Sequence, residues 1–366
     1  MPGLLKQLPT PPPDKRGWPW TEETDPHLYH GREDWPKISI VTPSYNQGQF
    51  IEETIRSVLL QNYPNLEYII IDGGSTDETL SIIKKYEAWI DFWVSEQDSG
   101  QSNAINKGLE QCTGEIFNWI NSDDWFFPES FFHISEAFQL NKSAVFVYGH
   151  TLSTYTIDKP IIFDNHGAND LDSLHLGVFP YSQQSCFLKK YLIDQVGGVD
   201  ERFHYKMDRD LYLKVKLIDK NFVQIKKTIG FYRFHDDSKS SNFEELFFHE
   251  SSIIMSALAR SSDEMNKYIP VLKKLDIYTE DKLHYDILEV YDNATWEKAF
   301  FYYMRFKPLH YFLNLKADFD KALQVCEFLR HEFPIYFNDC RQLRYQYYKL
   351  KYVPSFVIKL IRKLRK

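Results

Sequence analysis

A chain of 366 residues, 43% hydrophobic and 26% charged, can bury a large core and has room for more than one domain. Its formal net charge of −8 argues against a general nucleic-acid binder, whose surface would be basic. Cys112, Cys186, Cys326 and Cys340 form no C-x-x-C pair and no ladder of short loops, which sets aside a zinc site and a disulfide framework. A reducing, cytoplasmic setting is expected. No apolar run approaches the ~18 residues of a membrane span, and the N-terminus has no signal-peptide core, so a soluble or peripheral protein is expected.

Residues 1–36 are proline-rich, with Pro11, Pro12 and Pro13 in a row, and keep no period. They read as an arm, either extended over the domain or partly without order. Ile38 to Val41 is a short buried strand that Thr42-Pro43 should halt. A helix follows near Phe50 to Leu60, with Ile51, Ile55, Val58 and Leu59 at helical spacing. Tyr68 to Ile71 is a second apolar strand, then a helix from about Asp77 to Glu87. Phe92 to Val94 is a third strand, Asn103 to Cys112 a helix, and Ile116 to Ile120 a fourth strand. This alternation predicts βαβ units and a mostly parallel sheet.

Pro128 to Leu140 should be helical. Strands are expected near 145–148, 151–156, 161–163 and 185–188, and helices at 190–196 and 208–218. Phe222–Ile225 and Ile229–Phe234 could pair as closing strands. Glycine disappears after Gly230, and apolar residues then recur at helical spacing, so 243–366 reads as an α-helical region. Its last segment puts Val353, Val357, Leu360, Ile361 and Leu364 on one face, with Lys359, Arg362, Lys363 and Lys366 elsewhere. Such a basic amphipathic helix suits either an anionic bilayer or plain solvent.

Four polar turns stand out: Asp72-Gly73-Gly74-Ser75-Thr76-Asp77, Asp98-Ser99-Gly100, Asn106-Lys107-Gly108 and Asn121-Ser122-Asp123-Asp124. Carboxylates recurring at strand ends suit a site at the carboxyl edge of a parallel sheet. A pair of them could hold a hard divalent cation against phosphate oxygens. Together the turns read as a sugar-nucleotide site.

In this order the motifs resemble those of the family 2 glycosyltransferases, over Lys37 to about Ser240. The resemblance implies a GT-A fold, Rossmann-like, as a catalytic domain over 37–242. Thr42-Pro43-Ser44-Tyr45-Asn46 resembles the family's first donor loop, with Tyr45 against the base. Asp72 would accept a hydrogen bond from a base N–H; its other reading is a helix cap. Asp98 and its turn resemble the donor-lining segment. Lys107 is the nearest cation for the diphosphate, or a solvated helix-end lysine. Asn121-Ser122-Asp123 stands at the family's D-x-D position with asparagine first, leaving the metal to Asp123, with Asp124 as a second ligand or a supporting partner. Asp208 stands where the family carries its general base, or else caps the next helix. His235 resembles a histidine that some members use as a metal ligand. Gln183-Gln184 are acceptor-side or structural.

The resemblance implies an inverting enzyme that needs Mn2+ or Mg2+. It would move sugar from a nucleoside-diphosphate donor, a UDP-sugar first, to a glycan or lipid-linked hydroxyl in bacterial surface polysaccharide assembly. A cytoplasmic protein, peripheral at the inner face of the membrane and without nucleic-acid partners, is the matching expectation. Two rivals remain. A nucleotidyltransferase would want a glycine-rich loop after the first strand, where only Gly48 stands. A catalytically inactive carbohydrate-binding scaffold would account for Asn121 and Met207.

Overall fold

The computed structural model of the chain describes residues 3–154, 161–163, 176, 181–235 and 244–363. Contacts divide these into two compact units, one drawn from 1–165 and 181–238, the other from 166–180 and 239–366.

The first unit is built on four parallel strands: β1 (Ile38–Ser44), β2 (Leu66–Asp72), β3 (Phe92–Ser95) and β4 (Ile116–Trp119). They lie side by side in the order β3-β2-β1-β4. β1 and β4 are buried throughout and β2 nearly so, which is why they read as continuous apolar runs. The crossovers are α1 (Ile51–Leu59), α2 (Thr79–Tyr86) and α3 (Gln101–Gln111).

β1 does not stop at Thr42-Pro43. It runs on to Ser44, and Pro43 pairs with Ile71 of β2. The ladder with β4 ends two residues before Pro43, at Val41 and Trp119, so the N–H that proline lacks has no partner strand waiting for it.

The sheet continues with β5 (Trp125–Phe126), β6 (Phe146–Thr154), β7 (Ile161–Phe163), β8 (Cys186–Lys189) and β9 (Phe222–Arg233), and with α4 (Ser130–Leu140), α5 (Lys190–Gln195) and α6 (Met207–Ile218) around them. β8 runs antiparallel to both β4 and β6, and β9 runs parallel to β6. The nine strands therefore form a mixed sheet with one wholly parallel half. Residues 222–234 are not two pairing strands. Phe222–Arg233 form the single strand β9, with Phe234 just past its end, because Lys226-Lys227-Thr228 offers no glycine, asparagine or proline for a hairpin turn, and pairing with β6 resumes across an irregularity near His150. The segments expected at 145–148 and 151–156 merge into β6, and Tyr155 and Thr156 lie outside the described residues.

The proline-rich N-terminus packs on this unit as a strap. Arg56 of α1, fully buried, donates to the carbonyls of Pro9, Pro19 and Trp20 and to the Tyr86 hydroxyl. Trp18 Nε1 donates to the Phe126 carbonyl, and Leu8, Trp20, Tyr29 and Trp35 are buried. Covered by sheet and strap alike, α1 is buried at seven of its nine positions, Thr54, Arg56 and Ser57 included.

The second unit is helical: α7 (Glu244–Ser261), α8 (Asp263–Asn266), α9 (Ile269–Lys274), α10 (Asn293–Phe306), α11 (Pro308–His310), α12 (Phe319–Glu332), α13 (Pro334–Asp339), α14 (Arg341–Tyr352) and α15 (Ser355–Lys363). Tyr268 and Phe300 stack at 3.9 Å in its core, near Phe328 and Phe333. Among the described residues no helix is long and apolar enough to cross a membrane. The face expected on the last segment is rephased, because Pro354 breaks the helix: α15 buries Ile358 and exposes Leu360. Leu364 lies outside the described residues.

Candidate active site at the carboxyl edge of the parallel strands

Parallel strands deliver their following loops to one edge. Ser44 is paired with Asp72, and Asp72 with Ser95, so the turns after β1, β2 and β3 are neighbours. The first two are locked together. Asn46 N–H donates to Ser75 Oγ, Thr76 N–H to Asn46 Oδ1, and Gln47 N–H to Thr79 Oγ1.

Asp72 organises this lock and is wholly enclosed. One carboxylate oxygen accepts from Ser75 Oγ; the other accepts from Gly74 N, Ser75 N and Ser95 Oγ. With both oxygens engaged and no exposed surface, the side chain shapes the loop and does not offer itself to a base. Thr42 is likewise buried, at 3.1 Å from the Tyr68 hydroxyl, and Pro43 is buried in β1. Tyr45, by contrast, is 62% exposed.

The carboxylate that does stand open here is Asp98. Its Oδ1 accepts from Gly100 N at 2.8 Å, while Oδ2 has no hydrogen-bond partner among the described residues. A Cβ on Gly73 would meet that Oδ2 at 2.8 Å, so glycine at 73 is what admits the Asp98 carboxylate beside the β2 turn. Gly100 (φ 118) turns the chain into α3 in a conformation that side chains resist.

α3 ties this edge to more distant parts of the chain. Gln101 Nε2 donates to Asn121 Oδ1 at 2.6 Å, Ser102 Oγ to the Phe203 carbonyl, and Asn106 Nδ2 to the Val199 carbonyl. Lys107 is ion-paired with Glu96 at 2.7 Å.

The turn after β4 separates two adjacent aspartates by environment. Asp124 is fully buried and accepts from Asn121 Nδ2, Gln184 Nε2 and Arg233 N. Burial, and then the charge of Asp123, push its carboxyl well above the usual range. It is thus a supporting side chain, enclosed where a metal ligand would have to be open. Asp123 points elsewhere: its Oδ2 lies 3.0 Å from His235 Nε2, and both side chains are partly exposed. Ser122 is buried, and its carbonyl, with that of Asp124, accepts from Thr54 Oγ1 at 3.0 and 2.6 Å.

Arg233 binds this turn to the rest of the unit. Its backbone N–H reaches Asp124, its Nε the Asp123 carbonyl and its Nη2 Glu53, while the guanidinium lies 4.7 Å from the rings of both Phe50 and Trp125. Sequence reasoning missed Arg233, Glu53 and Thr54. The signal was present in part, since Arg233 sits two positions before His235, where an extended strand puts side chains on one side.

Among the described residues there is no group of three or more His, Cys, Asp and Glu side chains placed to hold a metal ion. Asp123 with His235 is a two-donor pair. A carboxylate and an imidazole facing each other suit a divalent ion whose other positions are filled by water and ligand oxygens.

Asp208 lies in the first turn of α6, whose cap position is Lys206, so it is not the helix cap. It is half-buried and has no hydrogen-bond partner among the described residues. Asp210, one turn-step on, is buried and paired with Lys214 at 2.7 Å. Burial, aided by the Asp208 charge, pushes Cys186, Tyr181 and Tyr212 up, so they stay neutral beside it. The same segment carries Gln183, which donates to Asn118 Oδ1 and the Trp119 carbonyl, and Gln184, which holds Asp124. A short stretch, 181–186, therefore links the surroundings of Asp208 to the turn that carries Asp123.

Residues 39–192 match the sequence model of glycosyl transferase family 2. Over 186 residues the chain is 29% identical to an uncharacterized glycosyltransferase of Rickettsia typhi, covering 49% of this chain and 58% of that one. Over 93 residues it is 43% identical to TuaG of Bacillus subtilis, a glycosyltransferase assigned to teichuronic acid biosynthesis, covering 24% of this chain and 36% of that one. The alignments thus span 58% or less of these relatives' lengths. The structure of S. aureus TarS 1–349 in complex with UDP-GlcNAc superposes with a TM-score of 0.55 at 17% identity, over 80% of this chain and 81% of that one. The mannosyltransferase PcManGT of Pyrobaculum calidifontis, in complex with GDP-Man and Mn2+, gives 0.53 at 14% identity, over 91% of each chain. At such identities the likeness is one of fold, and the fold is GT-A.

Proposed function

Residues 39–192 of this chain form a family 2 glycosyltransferase domain, and from that premise we propose that the protein moves a sugar from a nucleoside-diphosphate donor to an acceptor hydroxyl, with inversion. The observation that carries the reading is the division of labour among its acids. Asp72 and Asp124 are enclosed and build the loops, while Asp98, Asp123 and Asp208 keep oxygens available.

In this reading Tyr45 and Asp98 face the base, with Thr42, Pro43 and Asp72 shaping their loop. Asn121 and Ser122 line the ribose side, and Lys107 exchanges Glu96 for a diphosphate oxygen. Asp123 and His235 would hold Mn2+ or Mg2+, which would neutralise charge on the leaving diphosphate. Asp208 takes the proton of the acceptor hydroxyl as that oxygen attacks the anomeric carbon. The bond to the nucleotide breaks on the opposite face and its electron pair leaves with the diphosphate, so one displacement inverts the centre. The strand-edge loops hold donor and acceptor in line.

The donor is a nucleotide sugar, UDP-linked first, supported by the UDP-GlcNAc and GDP-Man of the two similar structures. The acceptor is a glycan or lipid-linked glycan in polysaccharide assembly, supported by the likeness to TuaG. Catalysis belongs to residues 37–242, with 243–366 as an appended region, in a cytoplasmic protein that touches the inner face of the cell membrane. The test is donor hydrolysis with Mn2+ across UDP- and GDP-sugars. Hydrolysis of one donor class, lost in Asp123→Asn, supports the reading; none from any donor refutes it.

A further inference from the structure

The last two helices each present an aromatic and basic face to solvent. In α14, Leu343 and Tyr347 are buried, while Tyr345, Tyr348 and Tyr352 are 66%, 52% and 69% exposed. Tyr347 is held inward by Arg330 and packs on Phe337. Helical spacing puts Arg341 and Lys349 on the same outer side as the three exposed tyrosines. Tyr348 and Tyr352 stack with their planes 11° apart.

α15 repeats the pattern after Pro354. Ile358 is buried, and Arg362 reaches inward to the Leu313 carbonyl, to Asn314 and over the Phe319 ring. Phe356 and Leu360 are left 70% and 56% exposed, with Lys359 exposed between them. From Arg341 to the end of the sequence there are nine lysines and arginines and no acidic residue, in a chain of net charge −8.

We propose that α14 and α15 bind an anionic phospholipid surface. Tyrosines give an apolar ring and a polar tip suited to the headgroup layer, Phe356 and Leu360 supply area for the acyl boundary, and the unopposed cations meet the lipid phosphates. The inference rests on the membrane contact within the proposed function and is independent of the transfer chemistry.

The test is co-sedimentation of the full chain with phosphatidylcholine vesicles, with and without phosphatidylglycerol. Wild type is expected to bind only the vesicles that contain phosphatidylglycerol. Each cation at such a surface contributes roughly fivefold, so R341Q/K349Q/K359Q is expected to bind on the order of 100-fold more weakly. Y352S/F356S/L360S keeps the charge and is expected to lose binding as well. Five of the six are exposed and Lys349 is half-buried, and circular dichroism checks the fold. Absence of binding to the phosphatidylglycerol vesicles overturns the inference, as does equal binding by wild type and both variants. So does a serine variant that binds vesicles as wild type does, which would mark a site for soluble polyanions. Protection of the same samples from heat by a nucleotide sugar is scored separately: its loss with vesicle binding intact counts against the transferase reading alone.

Discussion

Thr54→Val isolates the single hydroxyl that holds the Asp123 turn in place. Thr54 is 1% exposed, and its Oγ1 donates to the carbonyls of Ser122 and Asp124, on either side of Asp123. Valine keeps the shape and removes the only donor proton. A buried carbonyl left without its donor costs about 1–3 kcal/mol. In a unit of this size that corresponds to a melting temperature lower by roughly 2–12 °C. The loosened turn should also weaken donor protection in the presence of Mn2+, whereas Thr54→Ser, which restores the hydroxyl, should recover both. Thermal unfolding with and without Mn2+ and a UDP-sugar measures the two effects together. If Thr54→Val melts and responds to donor as wild type does, the hydroxyl is not what positions Asp123.

Three further perturbations address other parts of the account. Asp208→Asn should lower transfer by about 10²–10⁴-fold, the range for losing a general base, while calorimetry finds donor affinity within about twofold of wild type. Arg56→Ala removes the donor to three strap carbonyls and the Tyr86 hydroxyl, so a loss of more than about 3 kcal/mol in urea unfolding and early proteolysis within residues 1–36 are expected. Glu67 supplies a pH test away from the site. Burial pushes its carboxyl up, but Lys37, Ser39 and Thr113 outweigh this and bring it down from 4.5 to about 2. A depressed carboxyl stabilises the fold above its ordinary pKa and stops doing so as pH falls through its folded value. Wild type should therefore lose roughly 2–3 kcal/mol between about pH 4.5 and 2, and Glu67→Gln should lack that acid-dependent loss.

What could be read from the sequence follows from what each element packs against. β1, β2 and β4 are buried on both faces, so their apolar runs announced them, and the intervening helices followed from spacing. Pro43 misled because its effect depends on where the neighbouring β4 stops, which is a property of two strands. The polar Lys226-Lys227-Thr228 looked like a turn, yet it is the exposed middle of β9. Within the site, Asp72 and Asp98 have the same side chain and similar turns, and only the packing tells the enclosed carboxylate from the open one. Asp123 and His235 are 112 positions apart and Glu53 and Arg233 are 180 apart, so no local pattern could pair them. The resemblance alone suggested the first pair, and nothing suggested the second.

The most direct measurement is calorimetric binding of a UDP-sugar and a GDP-sugar to wild type and to His235→Ala, with and without Mn2+. The account predicts that Mn2+ tightens binding of one donor class at least about tenfold, ~1.4 kcal/mol, and that His235→Ala loses most of this gain. Donor affinity that ignores both the metal and the histidine would contradict it.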